Sequence, residues 1–225
     1  MRFSITRWFC AAVLTVPAYS ATFTIDATDS GWYDSTGGHN SSDQNYFSGG
    51  FNSTTYRNFF VFDLSSVSGT ISSVTLRVTD RNNSPTGFPT NGNLTYTNYD
   101  ISTSIATLTA GGAGQVATFA DLGGGTSYGS VVIVNPANTT QTIDVALNGS
   151  AILAIQALVG TGQFAIGGAI TPNATDADGA FVDFNAQSDL RQLIIETRDD
   201  AGIPEPSTYL LGAAGLSYLF LRRRR

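Results

Sequence analysis

Apolar and polar positions alternate cleanly from Ile71 to Thr79. Val74, Leu76 and Val78 fall on one face of an extended chain, and Thr75, Arg77 and Thr79 fall on the other. A period of two is the mark of a half-buried strand. Just before it, Arg57 to Leu64 reads Arg-Asn-Phe-Phe-Val-Phe-Asp-Leu, an aromatic and β-branched run that predicts a second strand. The polar link Ser65 to Thr70, with Gly69, is a turn between them. Similar segments follow at Thr22–Ala27, Asn93–Tyr99, Ser130–Val134, Gln141–Leu147, Gln163–Gly168, Ala180–Phe184 and Arg191–Thr197. One helix is expected, Ser150 to Leu158, with Asn148 or Ser150 as its cap and Gly160 as its stop. Many short strands, glycine-rich turns and almost no helix predict an all-β sandwich or barrel, without an internal repeat of fixed period.

The two ends break this rhythm. Met1 to Ser20 has a basic start (Arg2, Arg7), an apolar stretch from Trp8 to Val16, and small residues Ala18 and Ser20 placed for cleavage before Ala21. These are the three parts of a secretory signal, expected as a removable helix. At the other end come a polar linker, Asp199 to Gly202, then Ile203-Pro204-Glu205-Pro206-Ser207, an uncharged run to Leu221, and Arg222, Arg223, Arg224 and Arg225. The fifteen residues from Ser207 to Leu221 would span roughly 22 Å as a helix, against a hydrocarbon core of about 30 Å. Snorkelling arginines and local thinning of the bilayer can close that gap. The terminal arginines orient the segment with the C-terminus in the cytoplasm.

Composition narrows the chemistry. Charged residues make up only 12% of the 225, lysine is absent, and the residues from Ala21 to Asp200 hold five arginines against sixteen acids, a formal charge of −11. A surface this short of cations cannot neutralise phosphates, so nucleic acid is excluded as a partner. The one cysteine, Cys10, falls within the signal segment. The processed protein is therefore expected to have no thiol for disulfides, metal ligation or catalysis. The bulky Arg7-Trp8-Phe9 before Cys10 does not form a lipidation box.

Pro204-Glu205-Pro206, the short apolar run and the terminal arginines, in that order, resemble the PEP-CTERM sorting signal of exopolysaccharide-producing bacteria. The resemblance covers the last twenty or so residues. It implies recognition by an exosortase, transient anchoring in the inner membrane, and delivery to the cell surface or extracellular matrix. A second, more diffuse resemblance covers most of Thr22 to Arg198. Asp26 to Tyr33, Tyr56 to Leu64 and Ile71 to Leu76, with Phe164-Ala165-Ile166, Asp183-Phe184 and Arg191 to Ile195 later, look like the DNRLRE-type, carbohydrate-module-like jelly rolls. The stretch from Thr107 to Gly129, rich in Gly and Ala, departs from that pattern and reads as an insertion or a long loop.

Candidate chemistry is sparse. His39, the sole histidine, sits in a turn-like polar loop and reads as an exposed loop residue rather than a catalytic base. Neither cysteine nor a second histidine is present to build a zinc site. Glycoside hydrolysis would need two facing carboxylates, and the spacing of the aspartates and the lone Glu196 selects no pair. Asp176-Ala177-Asp178-Gly179, followed by Asp183, places oxygen ligands two apart before a glycine turn, a partial calcium loop. Asp26 and Asp29 form another acidic group, and aspartates also favour turns for their own sake. Trp32, Tyr33, Tyr46, Tyr96, Tyr99 and Tyr128 lie in or beside loop-like stretches, where exposed rings could stack on sugars.

The expected organisation is a signal peptide at 1–20, a jelly-roll-like β-sandwich at 21–198, a linker at 199–202 and a sorting signal with a transmembrane helix at 203–225. The leading expectation is a non-enzymatic, exported envelope or matrix component with a structural or adhesive domain. Its partners would be the secretion machinery, signal peptidase, an exosortase and the membrane, with no cofactor except structural calcium. The alternatives are a carbohydrate-binding module for exopolysaccharide and, behind it, a glycoside hydrolase.

Overall fold

The structure, a computed structural model, describes residues 20–51, 53–81, 93–134, 140–171, 179–181 and 189–198. Ten strands are seen among them: β1 (Ser20–Asp34), β2 (Ser48–Phe51), β3 (Thr54–Asp63), β4 (Thr70–Arg81), β5 (Asn93–Tyr99), β6 (Ser127–Val134), β7 (Thr140–Ala146), β8 (Gln163–Thr171), β9 (Gly179–Ala180) and β10 (Arg191–Arg198). Three short helices join them: α1 (Ile105–Leu108), α2 (Val116–Asp121) and α3 (Gly149–Gln156). The strand order is β6-β5-β8-β3-β1-β10-β4-β7, with β2 paired to β3 and β9 paired to β2, and every pairing is antiparallel.

The order folds into two facing layers because β1 belongs to both. Its residues 20–26 pair with β10, and from Ala27 onward it pairs with β3, the change falling at an irregularity between Ala27 and Asp29. An extra residue there bends the strand and raises its twist, so it can turn a corner. At the other end β6 and β7, consecutive in the chain, face each other. The Asn148 amide donates to the Ser127 carbonyl and the Gln141 amide to the Val134 carbonyl. The result is a nearly closed antiparallel sandwich.

The predicted alternation in β4 holds from Val74 to Val78, whereas Thr79, expected on the open face, is buried. Val74, Leu76 and Val78 are buried, and they meet Phe60, Phe62, Val145, Ile166, Leu193 and Ile195 in the main core between the layers. In β3 the continuous apolar run has a different cause, since both of its faces are covered. Phe60 and Phe62 point into the main core, whereas Phe59 and Val61 join Tyr33, Leu108 and Leu122 in a second core on the outer side. That outer core corrects the reading of residues 107–129 as a long loop. The stretch contains the end of α1, all of α2 and the start of β6, and residues 101–126 form a cap over the sheet. Leu108 and Leu122 are fully buried beneath it, worth about 1.5–3 kcal/mol each.

The expected helix is α3, one residue earlier than predicted at its start. The Asn148 side chain accepts from the N–H groups of Ser150 and Ala151, satisfying donors that the first turn leaves free. Gly160, at φ +75°, follows its end. Strand β1 runs on to Asp34, well past the predicted Ala27, and β2 was not foreseen. Of the strand predicted at 180–184, Ala180 lies in β9, Phe181 follows it, and the remainder lies outside the described residues.

Candidate functional site

The described carboxylates are engaged in local structure. Asp34 accepts from the Thr36 hydroxyl at 2.6 Å and from the N–H groups of Thr36 and Gly38. Burial works to raise its pKa, but these bonds outweigh it and hold the carboxyl below the ordinary value. Asp121 behaves the same way, bound by the hydroxyls and N–H groups of Ser102 and Thr103. Asp29, Asp43, Asp63 and Asp100 accept from the N–H groups of Ser30, Asn45, Ser65 and Thr126. Asp26 and Glu196 take cross-strand partners in Gln192 and Ser73. Asp144 pairs with Arg77 at 2.7 Å on the surface. This is the turn-capping use of aspartate.

Asp80 is different. It is almost fully buried, with its carboxylate receiving the Phe181 N–H at 2.7 Å and the Gln141 amide at 3.0 Å. Burial pushes its pKa up, and those two bonds only partly oppose the rise. The N–H it holds belongs to a residue at φ +64°, a conformation that costs a bulky side chain energy.

The six aromatic residues proposed for stacking divide. Tyr33, Tyr46, Tyr96 and Tyr128 are buried, and only Trp32 and Tyr99 are partly open. Each buried hydroxyl with a partner shows why the ring turned inward. Tyr33 donates to the Leu108 carbonyl and Tyr46 to the Thr79 carbonyl. Tyr96 donates to Asn58 and accepts from Asn98, whose amide also reaches the Gly167 carbonyl. The half-open ring set is Trp32, Tyr56 and Phe47. Tyr56 meets Trp32 edge-on at 5.2 Å and Phe47 at 5.0 Å between ring centres. Sequence reading missed Tyr56 and Phe47. Tyr56 pairs with Asp34, two residues beyond Trp32 in register, a juxtaposition visible only once β1 is known to reach Asp34.

His39 is a correction. Its surroundings in sequence are polar, yet it is 8% exposed. The ring stacks on Tyr33 at 4.6 Å, meets the edge of Phe59 at 5.4 Å, and places Nδ1 2.9 Å from the Trp32 carbonyl. A carbonyl only accepts, so Nδ1 carries the hydrogen and donates. Its backbone forms a two-way bridge to Gly112 of the cap, both bonds at 2.8 Å. Burial lowers the histidine pKa, while the Trp32 carbonyl and the charges of Asp29 and Asp43 act the other way.

Several sites read from the sequence fall elsewhere. Asp176, Asp178 and Asp183 of the calcium loop, residues 1–19 of the signal segment, Pro204, Glu205, Pro206 and Arg222 to Arg225 lie outside the described residues, while Ser20, the last residue of the expected signal, opens β1. Among the described residues, no three His, Cys, Asp or Glu side chains gather to hold a metal, and no helix is long and apolar enough to cross a membrane. Compared with known proteins, the chain matches no protein-family model and no curated protein.

Proposed function

We propose that this chain is an exported bacterial envelope or matrix protein. Residues 1–20 would direct its export, and an exosortase would sort it through Pro204-Glu205-Pro206, the apolar run and the terminal arginines. On this reading the jelly-roll-like domain between them is a structural or adhesive body rather than an enzyme. One observation carries the domain's part of the proposal. Among the described residues, Asp34, Asp121 and Asp80 serve as caps and cross-strand acceptors, and the histidine is packed under a cap. Such groups hold backbone in place, which supports the structural reading.

The test is the intact mass of the protein recovered from the surface or medium of its own host. Loss of the first twenty residues and of everything beyond the Pro-Glu-Pro region is expected. Recovery of an unprocessed C-terminus in the inner membrane would sink the sorting proposal.

A carbohydrate-binding role is favoured by one specific feature, the half-open Trp32–Tyr56–Phe47 cluster. Aromatic faces bind apolar sugar faces while their edges stay wet. In affinity electrophoresis through exopolysaccharide gels, this role requires retardation that Trp32→Ala removes. Equal mobility with and without polysaccharide would discard it.

A further inference from the structure

The chain enters and leaves the described domain at one pole. Ser20, which opens β1, pairs with Arg198, which ends β10, and the two strands are antiparallel. The segments before and after the domain therefore depart in the same direction, one strand spacing or about 5 Å apart. Two turns complete this pole. Gly69, between β3 and β4, lies so close to Arg198 that an added Cβ would stand 3.2 Å from the Arg198 carbonyl. The turn after α3 packs on the same turn. The Gly160 N–H donates to the Leu64 carbonyl at 3.0 Å, and the Gln156 amide to the Gly69 carbonyl at 3.2 Å. Residues 64–70 and 149–162 contain no charged side chain, although the formal charge from Ala21 to Asp200 is −11.

The other end of β1 is distant. Trp32 follows Ser20 by twelve residues, about 40 Å along the strand, less what the bend between Ala27 and Asp29 takes up. Tyr56 and Phe47 gather there around Trp32. By contrast, only eight residues, 199–206, separate Arg198 from the uncharged run that starts at Ser207. Whatever their conformation, they reach at most about 30 Å. A run anchored in a bilayer therefore keeps the Ser20–Arg198 pole within that distance of the lipid, on a tether shorter than the path of β1.

We propose that the pole built from Ser20, Arg198 and the turns at 64–70 and 157–162 is the surface that faces the lipid bilayer, and that the opposite pole, with Trp32, Tyr56 and Phe47, is the surface held outward for contact. This rests on the reading of the C-terminal tail as a membrane anchor.

Two physical effects favour this orientation over a domain lying on its side. Turns without ions approach headgroups without shedding the hydration of a charge. A body of formal charge −11 is repelled by anionic headgroups within about a Debye length, which stands it away from the surface on its tether. The half-open rings then point away from the bilayer, where a matrix glycan reaches them while the tail is still in the membrane.

The chain carries its own probe. It has two tryptophans, and Trp8 belongs to the signal segment, so the form left after signal removal, residues 21–225, has Trp32 alone. That form is bound to vesicles of phosphatidylcholine and phosphatidylglycerol with a dansyl-labelled headgroup lipid, and energy transfer from tryptophan to dansyl, which falls steeply with distance, is measured. The comparison is Ala21→Trp in a Trp32→Phe background, Ala21 being exposed at the start of β1. Transfer from Trp32 should be severalfold weaker than from position 21. Equal transfer from the two positions, or stronger transfer from Trp32, overturns the orientation. Should Trp32→Phe fail to fold, Ala21→Trp is made with Trp32 retained; transfer should then rise severalfold, and no rise overturns the proposal. A chain that does not sediment with the vesicles instead removes the tail as an anchor, and the orientation falls together with that reading.

Discussion

Gly168 lies in β8 between Asn58 of β3 and Asn98 of β5, directly beneath the Tyr96 hydroxyl. A Cβ added there would stand 2.0 Å from the Tyr96 oxygen and 2.3 Å from the Asn58 side-chain oxygen. Neither atom can retreat freely, because both belong to a fully buried chain of bonds, Asn98 to Tyr96 at 3.1 Å and Tyr96 to Asn58 at 2.8 Å. Gly168→Ala must therefore push the tyrosine off at least one partner. Overpacking costs about 1–3 kcal/mol, and a buried acceptor left without a donor costs about 1–3 kcal/mol more. The expected loss is about 2–6 kcal/mol, a large share of an ordinary domain's about 5–15 kcal/mol. Urea unfolding followed by circular dichroism measures it. Gly149→Ala is the control, since nothing lies within 4 Å of its added methyl at the start of α3, and it should be neutral or stabilising by up to about 1 kcal/mol. Tyr96→Phe should be destabilising alone but less so in the Gly168→Ala background, where it removes the colliding oxygen. A loss below about 1 kcal/mol in Gly168→Ala, or strict additivity with Tyr96→Phe, would refute the reasoning.

Other outcomes follow from the same contacts. Asn148→Ala removes both the α3 cap and the bond to Ser127, and thermal melting should show a loss of about 1–2 kcal/mol. Asp80, with its pKa raised by burial, stabilises the fold when protonated, and that contribution is lost as pH rises through its folded value. The melting temperature of Asp80→Asn minus that of the parent should therefore become more positive between pH 4 and pH 7; a flat difference would contradict this. If the Asp176–Asp183 loop holds calcium, a chelator lowers the melting temperature, and an unchanged midpoint removes the metal.

Legibility in the sequence tracked how many faces of a strand are covered. Strand β4 has one buried face, so Val74, Leu76 and Val78 announced it, and β5 was placed at its observed bounds, Asn93–Tyr99. Strand β3 is covered on both sides, and its run of buried residues could not say which ring faces which core. Strand β2, Ser-Gly-Gly-Phe, has neither alternation nor propensity and exists because β3 and β9 flank it. His39 was misread for a related reason. Its neighbours in sequence are polar, and its ring is buried by Tyr33 and Phe59, which the pairing of β1 with β3 brings together, while its backbone is bridged to Gly112, over seventy positions away. The aromatic cluster was half legible, through Trp32 alone, because its other members become neighbours only when β1 and β3 pair.

The pairing of Ser20 with Arg198 brings the two ends of the domain to one corner. Strand β10 is there hydrogen-bonded on both sides, to β1 and to β4. Any pull transmitted through the chain beyond Arg198 runs along β10 and meets both ladders lengthwise. Their bonds then share the load together instead of parting one at a time. A domain held by its C-terminal end against flow would be gripped at a strand bonded along both of its sides.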